Sequence, residues 1–150
     1  MATTVERALN RHRLVALDTS VLIYYLEASP TFGKAANAVL RAVARARVAA
    51  IASELVLLEL LVAPLRKQLQ DAADEIELTL THFPNLTLAP ITRSVLLRAA
   101  EIRARYELRT PDAIMLATAL ESGATLAITN DKTWQKVNEC EILLLRDVQA

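Results

Sequence analysis

Glycine is nearly missing from this chain: there are two in 150 residues. Few positions can then take left-handed backbone freely, which favours helices joined by short connections over a fold rich in special turns. Cysteine is scarcer still, at one. That excludes an internal disulfide and suits a reducing compartment. Cys140 lies in a polar, turn-like stretch with no histidine near it in sequence, so it lacks a nucleophile's neighbours. His12 and His82 have no Cys or His at metal-ligand spacing, which argues against a zinc site. Net charge is absent too, since 17 Lys and Arg balance 17 Asp and Glu. Charge alone therefore does not fit the chain to coat long nucleic acid, although a local basic rim stays compatible with it. No apolar run reaches membrane-spanning length, and the polar N-terminus lacks a signal-peptide core. The expected location is the cytoplasm, with no membrane partner.

What is present is apolar residues, at 53%, with 23% charged. This is a globular composition, and the length fits a single domain over 1–150 with a sizeable core. Residues 1–13 read as an N-terminal extension, a short helix or a loose segment. Short apolar runs at 14–17, 48–51, 86–88, 125–128 and 142–145 predict strands, and the first is apolar throughout, as a strand buried on both faces is. Apolar residues at helical spacing predict helices over 19–27, 31–46, 54–63, 65–83, 92–106 and from 110 to about 122, with a short helix around Trp134. Pro30, Pro64 and Pro84 are read as breaks and Gly123 as a helix end, while Ser53, Thr92 and Thr110 are read as caps. Alternating strands and helices imply an α/β fold, a three-layer α/β/α sandwich around a parallel sheet of about five strands.

Acidic residues stand at telling places in that order. Asp18 ends the first strand, where open parallel sheets bind ligands, although an aspartate there also serves simply to cap the next helix. Glu59 falls inside an apolar helical run beside Leu55, Val56, Val62 and Ala63, and a buried carboxylate needs a cation or hydrogen bonds to satisfy it. Asp112 follows Thr110 and Pro111 in a helix's first turn, a place that also suits a plain dipole-stabilising acid. Asp131 follows Thr129 and Asn130 at the end of another strand. If the four meet, their repulsion raises their pKa values, and a divalent cation relieves it. All-oxygen ligands select Mg²⁺ or Mn²⁺, a site suited to phosphodiester hydrolysis. Thr19, Ser20, Thr129 and Asn130 are placed to hydrogen-bond those acids or to touch phosphate.

Four pieces in this order, Asp18-Thr19-Ser20-Val21-Leu22-Ile23, Ser53 with Glu59, Thr110-Pro111-Asp112-Ala113-Ile114 and Thr129-Asn130-Asp131, resemble the PIN-domain nucleases, and among them the VapC-type toxins of toxin–antitoxin pairs. The resemblance covers about residues 14–146. It implies a PIN-like fold and an Mg²⁺- or Mn²⁺-dependent endoribonuclease whose metal-binding quartet is Asp18, Glu59, Asp112 and Asp131. It also implies a homodimer and a cognate antitoxin lying in a groove near the site, with the apolar faces of the first four helices as the expected contact surfaces. The extension before the first strand departs from the family pattern. Two other readings compete: a catalytically silent PIN-like module that binds RNA or protein, and a phosphoacceptor signalling domain. The second needs an acid ending the middle strand, and Leu88-Ala89-Pro90 supplies none.

Overall fold

The structure, a computed structural model, describes residues 3–148. Met1 and Ala2 of the expected extension, with Gln149 and Ala150, lie outside the described residues. The strands are β1 (Leu14–Leu17), β2 (Ala49–Ser53), β3 (Leu86–Ala89), β4 (Leu126–Thr129) and β5 (Glu141–Leu144). Among the described residues they form one five-stranded sheet in the order β3-β2-β1-β4-β5, every pair parallel. β1 is central, with Ala16 in register with Ile51 on one side and Ala127 on the other. That position explains its unbroken apolar run: Val15, Ala16 and Leu17 are buried, as are Ala127 and Ile128 of β4.

The chain walks outward from β1 through β2 to β3, then returns to the opposite side of β1 with β4 and β5. Right-handed crossovers therefore place α2 (Thr19–Leu26), α3 (Gly33–Ala44), α4 (Leu55–Arg66) and α5 (Gln70–Thr81) on one face of the sheet. They place α6 (Arg93–Tyr106) and α7 (Thr110–Glu121) on the other. The expected three-layer sandwich results, with Leu22, Val39 and Leu40 buried from the first layer and Ile102 and Leu116 from the second. Because the crossover direction reverses at β1, connections leave β1 and β4 toward opposite faces. A crevice opens between their carboxyl ends.

Several local features settle between the expected readings or depart from them. The extension folds as α1 (Thr4–Leu9), started by a capping box in which Thr3 and Glu6 exchange side-chain to backbone hydrogen bonds. Val5 and Leu9 are buried and the helix packs on α3, so the extension belongs to the core. His12 follows it, with Nδ1 2.7 Å from Thr125 Oγ1 and Nε2 3.2 Å from Glu141 Oε2. Pro64 does not break its helix, and α4 continues to Arg66. The break comes instead at Gln68, which takes left-handed backbone at φ 59°. Leu65 and Leu69, expected on an inward stripe, are 45% and 51% exposed. Leu96 is likewise turned outward. α7 begins at Thr110 itself, one residue earlier than its cap reading implies, which makes Pro111 the second helical residue and Asp112 the third. Cys140 is buried, not set in an open turn, and burial pushes its thiol pKa up. No helix among the described residues is long and apolar enough to cross a membrane.

Candidate functional site

β1 and β4 carry the first two acids to the crevice. Asp18 directly follows Leu17, and its N–H continues the ladder by donating to Ile128 O at 2.9 Å. Its side chain also caps α2, with Oδ1 accepting from Thr19 N–H at 2.8 Å. The cap role and a site role are thus served by one residue. Asp131 stands two residues past the end of β4 and caps a short 3₁₀ helix over Lys132–Lys136 through Thr133 N–H. Asp112 sits in the first turn of α7, where the helix dipole favours an anion. Three of the acids therefore stand at helix N-termini that converge on one place.

Glu59 arrives by another route. α4 follows β2, the neighbour of β1, and one helical turn carries Glu59 over the carboxyl edge of the sheet. The premise that Glu59 is buried on an apolar face does not hold, because the residue is exposed. It is nonetheless tied to the crevice, since the Thr19 hydroxyl donates to its Oε1 at 2.7 Å. Asp18, Glu59, Asp112 and Asp131 line one open cleft of about 410 Å³, together with Thr19, Ser20, Asn130, Ile23, Tyr24 and Arg109.

Hydroxyls organise the cleft. Asp18 Oδ2 accepts from Ser20 Oγ at 3.0 Å and from Thr129 Oγ1 at 2.7 Å. Thr129 is fully buried and its Oγ1 also accepts from Asp131 N–H at 3.0 Å, so one side chain links two acids. Asn130 faces differently. Its Oδ1 accepts from Arg146 N–H and Nε, its carbonyl accepts from Arg146 Nη2, and its Nδ2 donates to the Tyr24 hydroxyl at 3.3 Å. This residue clamps the chain after β5 to the end of β4.

Burial pushes the Asp18 carboxyl above its ordinary range, and the nearby Asp112 carboxylate adds to the rise. The hydrogen bonds from Thr129, Ser20 and Thr19 N–H pull the other way without cancelling it. Asp112, also buried, accepts from Arg109 Nε at 3.1 Å. Sequence reasoning passed over Arg109, Tyr24 and Arg146. For Arg109 a signal was present, a cation three residues before a first-turn acid. For Tyr24 and Arg146 none was, because their partner Asn130 is distant in sequence. The donors facing the cleft are carboxylate and hydroxyl oxygens, the chemistry of a hard dication. As oriented here each acid is turned to a protein partner. Among the described residues no three acidic, histidine or cysteine side chains are grouped closely enough to hold a metal ion.

Comparison of the chain with family models returns one match, the PIN domain, over residues 15–139. This chain belongs to the PIN domain family. The match begins inside β1, so α1 lies outside it. Curated proteins give no match. Solved structures share the fold at low identity. A toxin–antitoxin complex from Klebsiella pneumoniae is 22% identical, with TM-score 0.62 over 87% of this chain and 97% of that one. VapBC2 from Rickettsia felis, bound to a promoter DNA fragment, is 16% identical, with TM-score 0.70 over 87% and 98%. FitAcB from Neisseria gonorrhoeae is 18% identical, with TM-score 0.69 over 87% and 97%. This PIN domain also displays apolar side chains away from the cleft. Leu58, Val62 and Leu65 recur at helical spacing along α4 and are 63%, 41% and 45% exposed.

Proposed function

We propose that this PIN domain is an Mg²⁺- or Mn²⁺-dependent endoribonuclease, the toxin of a toxin–antitoxin pair acting in the cytoplasm. One observation carries the reading: four acids from four separate segments line a single cleft at the carboxyl end of the sheet. Asp18, Glu59, Asp112 and Asp131 would hold the ion. When bound, it would lower the pKa of a water and offset charge on the leaving oxygen. The net reaction would join a water oxygen to phosphorus as a phosphorus–oxygen bond of the RNA chain breaks, with the water's proton passing to the leaving oxygen. Thr129 and Ser20 fix the Asp18 carboxylate, and Thr19 holds Glu59 toward the cleft. The Asn130–Arg146 clamp keeps the end of β4 in place, which makes Asn130 a supporting residue for Asp131 more than a phosphate contact.

A cognate antitoxin fits the exposed α4 stripe, because an apolar face of this kind takes the apolar side of a partner helix or extended segment. The structural relatives are toxin–antitoxin complexes, which supports that partner. A homodimer is proposed with it, on the family resemblance. The test is incubation with structured RNA and Mn²⁺ or Mg²⁺, with and without EDTA. Cleavage is expected only with the ion and is expected to disappear in Asp18→Asn and Asp112→Asn. RNA left intact by the folded protein, or cut equally by both variants, rejects the nuclease and favours a silent binding module.

A further inference from the structure

Among the described residues that line the carboxylate cleft, Arg109 alone carries positive charge. Its Nε lies 3.1 Å from Asp112 Oδ2, yet its side chain is 77% exposed while that of Asp112 is 9% exposed. The inner nitrogen is engaged and the outer edge of the guanidinium faces water. The helix itself gives no reason for a cation here, because Arg109 flanks the N-terminus of α7, where the dipole favours anions. The acids of the cleft hold it.

We infer that Arg109 is a resident counter-ion that exchanges between two anions, neutralising Asp112 in the metal-free cleft and binding a phosphate oxygen of RNA once Asp112 has turned to the dication. This rests on the metal-dependent nuclease proposed above. In the arrangement seen, Arg109 Nε occupies Asp112 Oδ2, so this carboxylate oxygen must leave the guanidinium before it can serve a cation. A released guanidinium keeps its planar fork of donors, which matches phosphate oxygens, at the rim of the same cleft.

The exchange predicts effects of opposite sign. For a unit charge and a dication taken to be about 5 Å apart at water-like dielectric, Coulomb's law gives tighter cation binding on the order of tenfold when the charge at Arg109 is removed. The gain shrinks at high salt. Loss of the fork weakens RNA binding. A residue that merely oriented Asp112 would, when removed, weaken both. Two titrations on the full chain separate the cases. The first follows free Mn²⁺ by its electron paramagnetic resonance signal for the wild type, Arg109→Ala and Arg109→Lys. The second follows the anisotropy of a labelled single-stranded oligoribonucleotide in saturating Ca²⁺. Arg109→Ala is expected to bind Mn²⁺ more tightly and the oligonucleotide more weakly. Arg109→Lys, a charge without the fork, is expected to bind Mn²⁺ nearly as the wild type does and to recover part of the oligonucleotide affinity. Mn²⁺ affinity equal or lower in Arg109→Ala overturns the exchange alone. A wild type that binds no Mn²⁺ overturns it together with the nuclease reading. Oligonucleotide binding that is absent in the wild type, or unchanged in Arg109→Ala, removes the phosphate role.

Discussion

Thr129→Val isolates the hydroxyl that links Asp18 to Asp131. Valine matches threonine in shape, so the fully buried site stays filled. What disappears is the 2.7 Å bond donated to Asp18 Oδ2 and the acceptor for Asp131 N–H at 3.0 Å. A hydrogen bond to a charged group contributes about 1.5–3 kcal/mol. The stranded Asp131 N–H costs less than a fully buried donor, because Asp131 is only partly buried and water reaches it. The sum is a loss of about 2–3 kcal/mol at neutral pH. At about 2–4 °C per kcal/mol for a chain of this size, the melting temperature falls on the order of 5–10 °C.

The pH dependence is the sharper test. Burial raises the folded pKa of Asp18 above its ordinary value, and the Thr129 bond opposes that rise. Asp18 therefore favours the fold in its protonated form. Its contribution is whole below the ordinary carboxylate range and is lost as pH climbs through the raised pKa. Removing the Thr129 bond raises that pKa further, so the variant loses more on ionisation than the wild type does. The deficit should be small in mild acid and reach its full size at neutral pH, as read by urea melts of the metal-free protein across that range. Thr129→Ser keeps the hydroxyl and forfeits a methyl group, about 0.8 kcal/mol, with little pH dependence. A valine variant as stable as the wild type, or a deficit flat with pH, would refute the linkage between this hydroxyl and the Asp18 carboxylate.

Three further outcomes are expected. Leu9→Ala, at a residue 3% exposed between α1 and α3, should cost about 2–5 kcal/mol; an unchanged melt would show that α1 does not belong to the core. Mn²⁺ at about 100 times its Kd should stabilise the fold by about 2.7 kcal/mol, reversed by EDTA, through relief of carboxylate repulsion; a melting curve indifferent to Mn²⁺ counts against the cleft as a metal site. Asn130→Ala and Arg146→Ala should be non-additive by about 1 kcal/mol in a double-mutant cycle, since they share the same hydrogen bonds; additive losses would mean the clamp does not act as a unit.

The strands and their parallel pairing were legible because burial on two faces leaves a local mark: an apolar run such as Leu14–Leu17, bounded by helical periodicity. The places of Asp18 and Asp131 followed from the same mark, since each simply stands where such a run stops. Asp112 was legible from the helix start that Pro111 announces. The resemblance to the PIN domain rested on the order of these pieces, which sequence alone preserves.

Other features depended on what packs against what. The apolar pattern around Glu59 predicts a burial that the residue does not have; it reaches the cleft because β2 lies beside β1, a matter of strand order that no local pattern encodes. Leu65 and Leu69 have core-like periodicity yet lie about half exposed, and Pro64 is carried inside α4 where a break is expected. The sequence names Arg109 and Asp112 as neighbours, but only convergence with Asp131 and Glu59 makes Arg109, among the described residues that line the cleft, the one positive charge beside four acids. Periodicity reports a residue's own helix or strand, whereas electrostatic environment is a sum over segments that meet only when the crossovers reverse at β1.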